Sequence, residues 1–425
     1  MQMIIIGILL LLIGLAGAPI FSIIAAIGLL AFSAAGTDTS ALIIELYRLV
    51  DFPALIAIPL FTFAGFVLAE SQAPRRLIKL AQAMFGWMPG GLAVVALFTT
   101  AIFTAFSGAS GVTIIALGGL IYPALRKENY PERFSLGLMT TSGSLGLLFP
   151  PSLPIILYSI VSKVNIDQLF LAGLVPGILL LVILSVYSVR TAMKSHVPRH
   201  PFVWKNVLIA LKESGWEAPL PIIVIGGIYG GIITATEAAA VTAFYVLVVE
   251  VFIRRDLKFF SDMPRVLRES MILVGAILIM LGSAMGVTSY LIDEQIPMKL
   301  FAFISQYISS KLVFLVILNL FILVMNMVEI FSAIIIVVPI IVPVAMEYGV
   351  DPVHLGIIFL LNLEIGYMTP PLGLNLFLSS LRFEKPLTAI YRAVLPFFLL
   401  LLAVLLLITY FPALSLMFTK AAGIS

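Results

Sequence analysis

The chain has 425 residues, 62% of them hydrophobic and only 11% charged, with a formal net charge of +3 and no cysteine. A water-soluble domain carries roughly 25% charged residues, so this chain has too few polar side chains to cover a soluble fold. Disulfides and thiolate metal sites are excluded by composition, and apolar runs such as 3–32, 169–189 and 397–411 define an all-α polytopic membrane protein.

The chain start lacks the basic n-region of a cleavable signal peptide and reads as helix 4–34, broken near residues 17–19. A span at 53–71 and an amphipathic arm at 74–86 follow. Residues 90–125 hold two short apolar arms around FSGASG (106–111), the pattern of a re-entrant hairpin. A broken helix at 131–161 and a full span at 168–189 complete a first unit, 1–189. A basic connector covers 190–217. The second unit, 218–425, has spans at 218–234 and 235–253 about TATEAAA (234–240), then a span at 271–291 and an arm at 296–308. A second hairpin at 311–347 surrounds MNMVEIFS, and a broken helix at 352–381 precedes a final span at 386–411.

Both broken helices contain a double proline in an apolar setting, GLLFPPS and GYMTPPL. Proline removes a backbone donor and clashes with the preceding turn, so Pro150, Pro151, Pro370 and Pro371 are the helix-breaking residues. The two pairs are 220 positions apart, and so are Gly146 and Gly366, and Pro123 and Pro343. Three landmarks at one spacing mark a duplicated unit. Five crossings separate the two double prolines in this topology, an odd number, so the repeats are inverted. With the connector cytoplasmic, nineteen Lys and Arg fall on the inner side and five on the outer (Arg48, Lys163, Lys299, Lys311 and Lys420), as the positive-inside rule requires.

Backbone groups freed in hydrocarbon cost several kcal/mol each unless they are satisfied. Paired breaks in inverted repeats are the construction of secondary transporters, whose half-helices and unwound carbonyls hold anionic solute and sodium near the midplane. The residues there are oxygen donors suited to hard cations: Ser107 and Ser110 in the first hairpin, Thr140, Thr141, Ser142 and Ser144 in the first break. The second unit supplies Asn326, Glu329 and Ser332, then Asn362, Glu364, Thr369 and Asn375. Ser142, Asn326, Glu329 and Asn375 are the candidates for solute binding. Serine and glycine also serve close helix packing. Glu237, with Thr236 as N-cap, reads equally well as a helix-start residue. The histidines are not placed as buried bases.

The ordered set PLFTFAGFVLAES (59–71), MPGGLA (88–93), FSGASG, GLLFPPSLPIILY (146–158), GGIYGGIITATEAAA (226–240) and IGYMTPPLGLNLF (365–377) resembles the large membrane subunit of tripartite ATP-independent periplasmic (TRAP) transporters, nearly end to end. The resemblance implies an elevator, in which hairpins and broken helices slide against a scaffold of the remaining helices. It also implies a sodium gradient as energy source, an organic acid as solute, and a location in the bacterial inner membrane. The implied partners are a separate small four-helix subunit and a periplasmic solute-binding protein, with no nucleic acid. By the same resemblance, sodium ligands fall at Ser107, Gly108, Ser110, Ser144 and Gly146 in the first unit, and at Gly366, Thr369 and Pro370 in the second. This chain has Ala109 and Gly111 where many relatives have serine and alanine, and it carries Glu364. A self-sufficient Na⁺-coupled carboxylate symporter or Na⁺/H⁺ exchanger of the same superfamily is the alternative. An intramembrane serine hydrolase is disfavoured because no His or Lys accompanies Ser107 or Ser110 in the hairpin.

Overall fold

The computed structural model describes residues 9–10, 12–13, 16–36, 38–198, 201–325 and 330–421. Among them, regular structure is helical throughout. The first unit contains α1 (Ile20–Ala34), α2 (Ser40–Arg48), α3 (Ala54–Glu70) and α4 (Ala73–Phe85). The hairpin follows as α5 (Gly91–Ser107), α6 (Ser110–Ala116) and α7 (Gly118–Lys127). The broken helix is α8 (Glu132–Ser142), a 3₁₀ turn Leu145–Leu148 and α9 (Leu153–Ser162), with α10 (Ile166–Lys194) closing the unit. The two limbs of the broken helix are bent by 44°.

The connector folds as α11 (Trp204–Glu213). The second unit has α12 (Pro219–Tyr229), α13 (Ala235–Leu247) ending in a π-helical turn Val248–Ile253, α14 (Met263–Asp293) and α15 (Ile296–Ser305). Its hairpin is α16 (Lys311–Met325) and α17 (Ile330–Glu347), its broken helix α18 (Pro352–Gly366) and α19 (Leu374–Phe383). The chain finishes with α20 (Leu387–Tyr410) and α21 (Ala413–Ala421). Hairpins begin at 91 and 311, and broken helices at 132 and 352, so the offset of 220 recurs in the folded chain. The peptide joining each double proline is cis.

Among the described residues, five helices are long and apolar enough to cross a membrane, or up to seven if each bent pair counts as one span. Large apolar side chains on the spans are exposed, among them Ile222, Phe244, Leu320 and Leu399. On a membrane protein such a belt faces lipid tails. The most enclosed helices are instead those of the breaks and hairpins: every residue of α18 from Val353 to Gly366 is buried, and nearly all of α5. At the first break protein rather than lipid surrounds the non-helical backbone, as the bilayer requires, whereas Pro370, Pro371 and Leu372 of the second are exposed.

Two packing groups result. The helices α1, α2, α3, α13 and α14 pack mainly on one another and form a frame. The hairpins and broken helices form the other group, interlocked across the repeat: α19 lies on α6, and α9 on α17. The groups meet where α3 touches α5 and α9, and where α14 touches α17.

Three details differ from the sequence reading. Residues 40–48, read as a connection, form α2, bent 69° from α3. The connector contains a helix, α11, whose apolar residues Val207 and Ala210 are buried. The N-cap of α13 is Thr234, not Thr236. Thr234 Oγ1 accepts from the Glu237 amide at 3.2 Å, and Glu237 accepts from the Thr234 amide at 2.8 Å, a reciprocal capping box. Thr236 instead donates to the Pro53 carbonyl at 3.1 Å, tying α13 to the start of α3.

Candidate functional site

The first hairpin turns at Gly108, which sits at φ +64, a left-handed conformation open to glycine at little cost. A Cβ there would lie 2.3 Å from the Leu153 side chain at the start of α9, so the tip is pressed onto the limb beyond the first break. The hairpin arms are laced together just below. Thr104 Oγ1 and Thr113 Oγ1 lie 2.7 Å apart, and Thr104 also donates to the Gly143 carbonyl at 2.9 Å. Hairpin and first break are therefore one hydrogen-bonded unit.

The second break joins them through Asn375. Its Oδ1 accepts from Ser110 Oγ at 2.8 Å, and its Nδ2 donates to the Thr140 carbonyl at 3.2 Å. Thr140 Oγ1 in turn donates to Ser379 Oγ at 2.8 Å. A residue of the second repeat thus bridges the hairpin tip and broken helix of the first, all of it fully buried.

The oxygens named for cations divide into two kinds. Ser107 Oγ and Ser142 Oγ are buried without a hydrogen-bond partner among the described residues. Ser144 Oγ donates to the Thr141 carbonyl at 3.2 Å, and Thr369 Oγ1 to the Ile365 carbonyl at 2.8 Å. The carbonyls of Gly146 and Gly366 accept from Phe149 and Thr369 amides. Pro370, beside Pro371, is exposed at the second break. A hydroxyl that donates its proton keeps oxygen lone pairs free, and a carbonyl keeps a second one. Glu364 is fully buried and neither carboxyl oxygen has a partner among the described residues. Asn362 donates to Asn319 Oδ1 at 2.7 Å and so links α18 to α16. Asn326 and Glu329 lie outside the described residues.

A cavity of about 670 Å³ opens between the two packing groups. On one side stand Gly108 to Val112 of the first hairpin, Phe331 and Ser332 of the second, and Tyr367 and Leu374 about the second break. On the other stand Phe21, Phe66 and the α14 segment around Ala276 to Met280. Among the described residues, no Lys, Arg, Asp or Glu lines it. Ser142 and Asn375 are not in its wall, Asn375 being engaged as the bridge. Ser332 reaches across it, its Oγ 3.3 Å from Met280 Sδ. Phe66 falls within PLFTFAGFVLAES, but to a sequence reading it, Phe21 and the α14 segment are ordinary apolar positions of a span.

Inverted repeats whose two hairpins and second broken helix meet at a shared cavity define the class: a multi-pass transporter permease, not an enzyme. The family model described as "Tripartite ATP-independent periplasmic transporter, DctM component" matches residues 4–414. The C4-dicarboxylate TRAP transporter large permease protein of Pseudomonas aeruginosa is 38% identical over 387 residues, covering 91% of this chain and 90% of that one. The ectoine/5-hydroxyectoine large permease of Ruegeria pomeroyi is 32% identical, covering 85% of each chain. Among solved structures, the YdaH transporter of Alcanivorax borkumensis shares the fold at a TM-score of 0.62 and 13% identity, over 88% of each chain. The chain belongs to the DctM family, the large permease components of TRAP transporters. It is accordingly a protein of the bacterial inner membrane.

Proposed function

We propose that this chain takes up an organic acid, a C4-dicarboxylate being the first to try, driven by a sodium gradient. The solute reaches it on a periplasmic binding protein, and a separate small four-helix subunit braces the frame. The observation that carries the reading is the cavity shared by both hairpins, the second break and the frame helices. A pocket with walls on two separately packed groups is exposed to one side or the other when one group slides against its neighbour. The named C4-dicarboxylate relatives support the solute class. The isethionate relative of Oleidesulfovibrio alaskensis, described as DctMQ, is longer, this chain covering 58% of it.

The sodium ligands are those of the two breaks: Ser107, Gly108, Ser110, Ser144 and Gly146 in the first, and Gly366, Thr369 and Pro370 in the second. Their support is chemical. They are neutral oxygens at the hairpin tip and around the two breaks, most of them buried, and Ser107 Oγ has no hydrogen-bond partner among the described residues, which suits a monovalent hard cation. Sodium here is cotransported substrate rather than resident cofactor.

Proteoliposomes containing the chain and its small subunit, given an inward sodium gradient and radiolabelled succinate, fumarate or malate, test the whole reading. Uptake should require both sodium and the binding protein. Sodium-driven uptake with no binding protein would establish the self-sufficient symporter in its place.

A further inference from the structure

A second cleft, of about 390 Å³, opens on the face that carries few basic residues. Its walls again belong to both groups. The frame contributes Glu45 and Arg48 of α2 and Thr288 and Ser289 near the end of α14. The hairpin group contributes Ser162 and Lys163 at the end of α9, beside the last turns of α17. Five cations occupy this face by the positive-inside count. Lys299 pairs with Glu294 at 3.6 Å, Lys311 donates to the Gly349 carbonyl, and the Lys420 side chain lies outside the described residues. The other two, Arg48 and Lys163, both line this one cleft.

Neither is spent. Arg48 places Nη1 2.6 Å from Glu45 Oε1, yet its side chain is 64% exposed. The remaining guanidinium nitrogens have no partner among the described residues. Lys163 caps α9 at φ +60, is exposed, and makes no ion pair or hydrogen bond among the described residues. Glu45, Arg48 and Lys163 together leave the cleft one net positive charge, with three hydroxyls around it. Among the described residues, none that lines the large midplane cavity is charged. The two cavities thus divide the work between them: attraction of an anion at the mouth, and enclosure at the centre.

We propose that this cleft is a receiving subsite for an organic carboxylate anion, with Arg48 and Lys163 as its specificity-determining residues. The inference rests on the functional reading above. The guanidinium fork suits a carboxylate in two-point contact, and the ammonium suits a second carboxylate as a point charge. Because the walls belong to two groups, the distance between the two cations changes whenever those groups slide. The subsite is then formed in one state and parted in another, so the anion is held only while the entrance is set to pass it inward.

The chain contains no cysteine, so a single Thr288→Cys gives a reporter in the cleft that leaves both cations in place. The complex with the small subunit, in liposomes and without binding protein, is labelled with a membrane-impermeant maleimide. Succinate at about ten times its Kd should slow labelling about tenfold, as simple occupancy requires. Adding Arg48→Gln and Lys163→Gln should abolish the protection, and Arg48→Lys with Lys163→Arg should restore part of it. Lys163 is exposed and unpaired, so Lys163→Gln alone serves if the double variant fails to assemble. Labelling unaffected by succinate would overturn the proposal. So would protection by the binding protein without solute, which would make the cleft a docking surface. Protection that persists in a complex whose uptake needs no sodium or no binding protein would leave the subsite standing and remove only the functional reading.

Discussion

Thr369 and Asn375 lie six residues apart and play different parts. Thr369 donates to the Ile365 carbonyl, and its oxygen lone pairs remain for an ion. Thr369→Ala should raise the sodium concentration needed for half-maximal uptake about tenfold, equivalent to about 1.4 kcal/mol. An unchanged sodium curve in proteoliposomes removes it from the ligand set. Asn375 instead holds Ser110 and the Thr140 carbonyl. Asn375→Ala leaves buried groups unpaired at a cost of about 1–3 kcal/mol each, so the expected loss is in thermal stability as well as uptake. A variant with normal melting and altered solute preference would return Asn375 to the solute-binding role. Glu364 is the one acid wholly enclosed in α18 without a partner. A buried carboxyl of that kind in a membrane span is a functional hypothesis by default.

At the scale of elements, the breaks are the working parts. Pro150→Ala or Pro370→Ala restores the missing donor and lets the preceding helix continue. Each should impair uptake while leaving the complex assembled, as measured by gel filtration with the small subunit. The arm α4 is fixed by a different device. Its Arg76 meets Glu217, Glu250 and Asp256 at 2.7, 2.9 and 2.8 Å, and all four side chains are largely buried. Arg254 adds a contact to Glu217 at 3.4 Å. Removing one member of a buried ionic set leaves uncompensated charge and costs about 3–5 kcal/mol. Arg76→Ala should therefore free α4 and lower the melting temperature, with trypsin cleavage at Arg75 or Lys79 as the readout. A melting curve and cleavage pattern matching the unmodified chain would show that α4 does not depend on this cluster.

Over the whole molecule, the question is whether the two packing groups move. They touch closely at Gly65 of α3, where a Cβ would lie 2.4 Å from the Ser107 backbone. They also touch where Ser332 meets Met280. In this cysteine-free chain, Met280→Cys with Ser332→Cys makes a pair that mercuric ion can bridge. Bridging should abolish uptake, and excess thiol should restore it. Full uptake in the bridged protein would refute sliding at that contact.

Much of this was legible in the chain itself. The double prolines, the 220-residue offset and the basic-residue count fixed the membrane class, the hairpins and the inverted duplication, because helix breaking and charge placement are local properties read from residue type. Cavity walls are different. Phe21, Phe66 and Met280 are separated by long stretches of chain and look like any lipid-facing or core residues, and only packing decides that they enclose a site. The same holds for Asn375, whose amide was spent on a bridge to the other repeat, and for Arg48 and Lys163, which meet in one cleft although 115 positions divide them. Sequence settled which backbone would unwind; the tertiary fold decided what those unwound segments face, since that depends on contacts between repeats that no local pattern encodes.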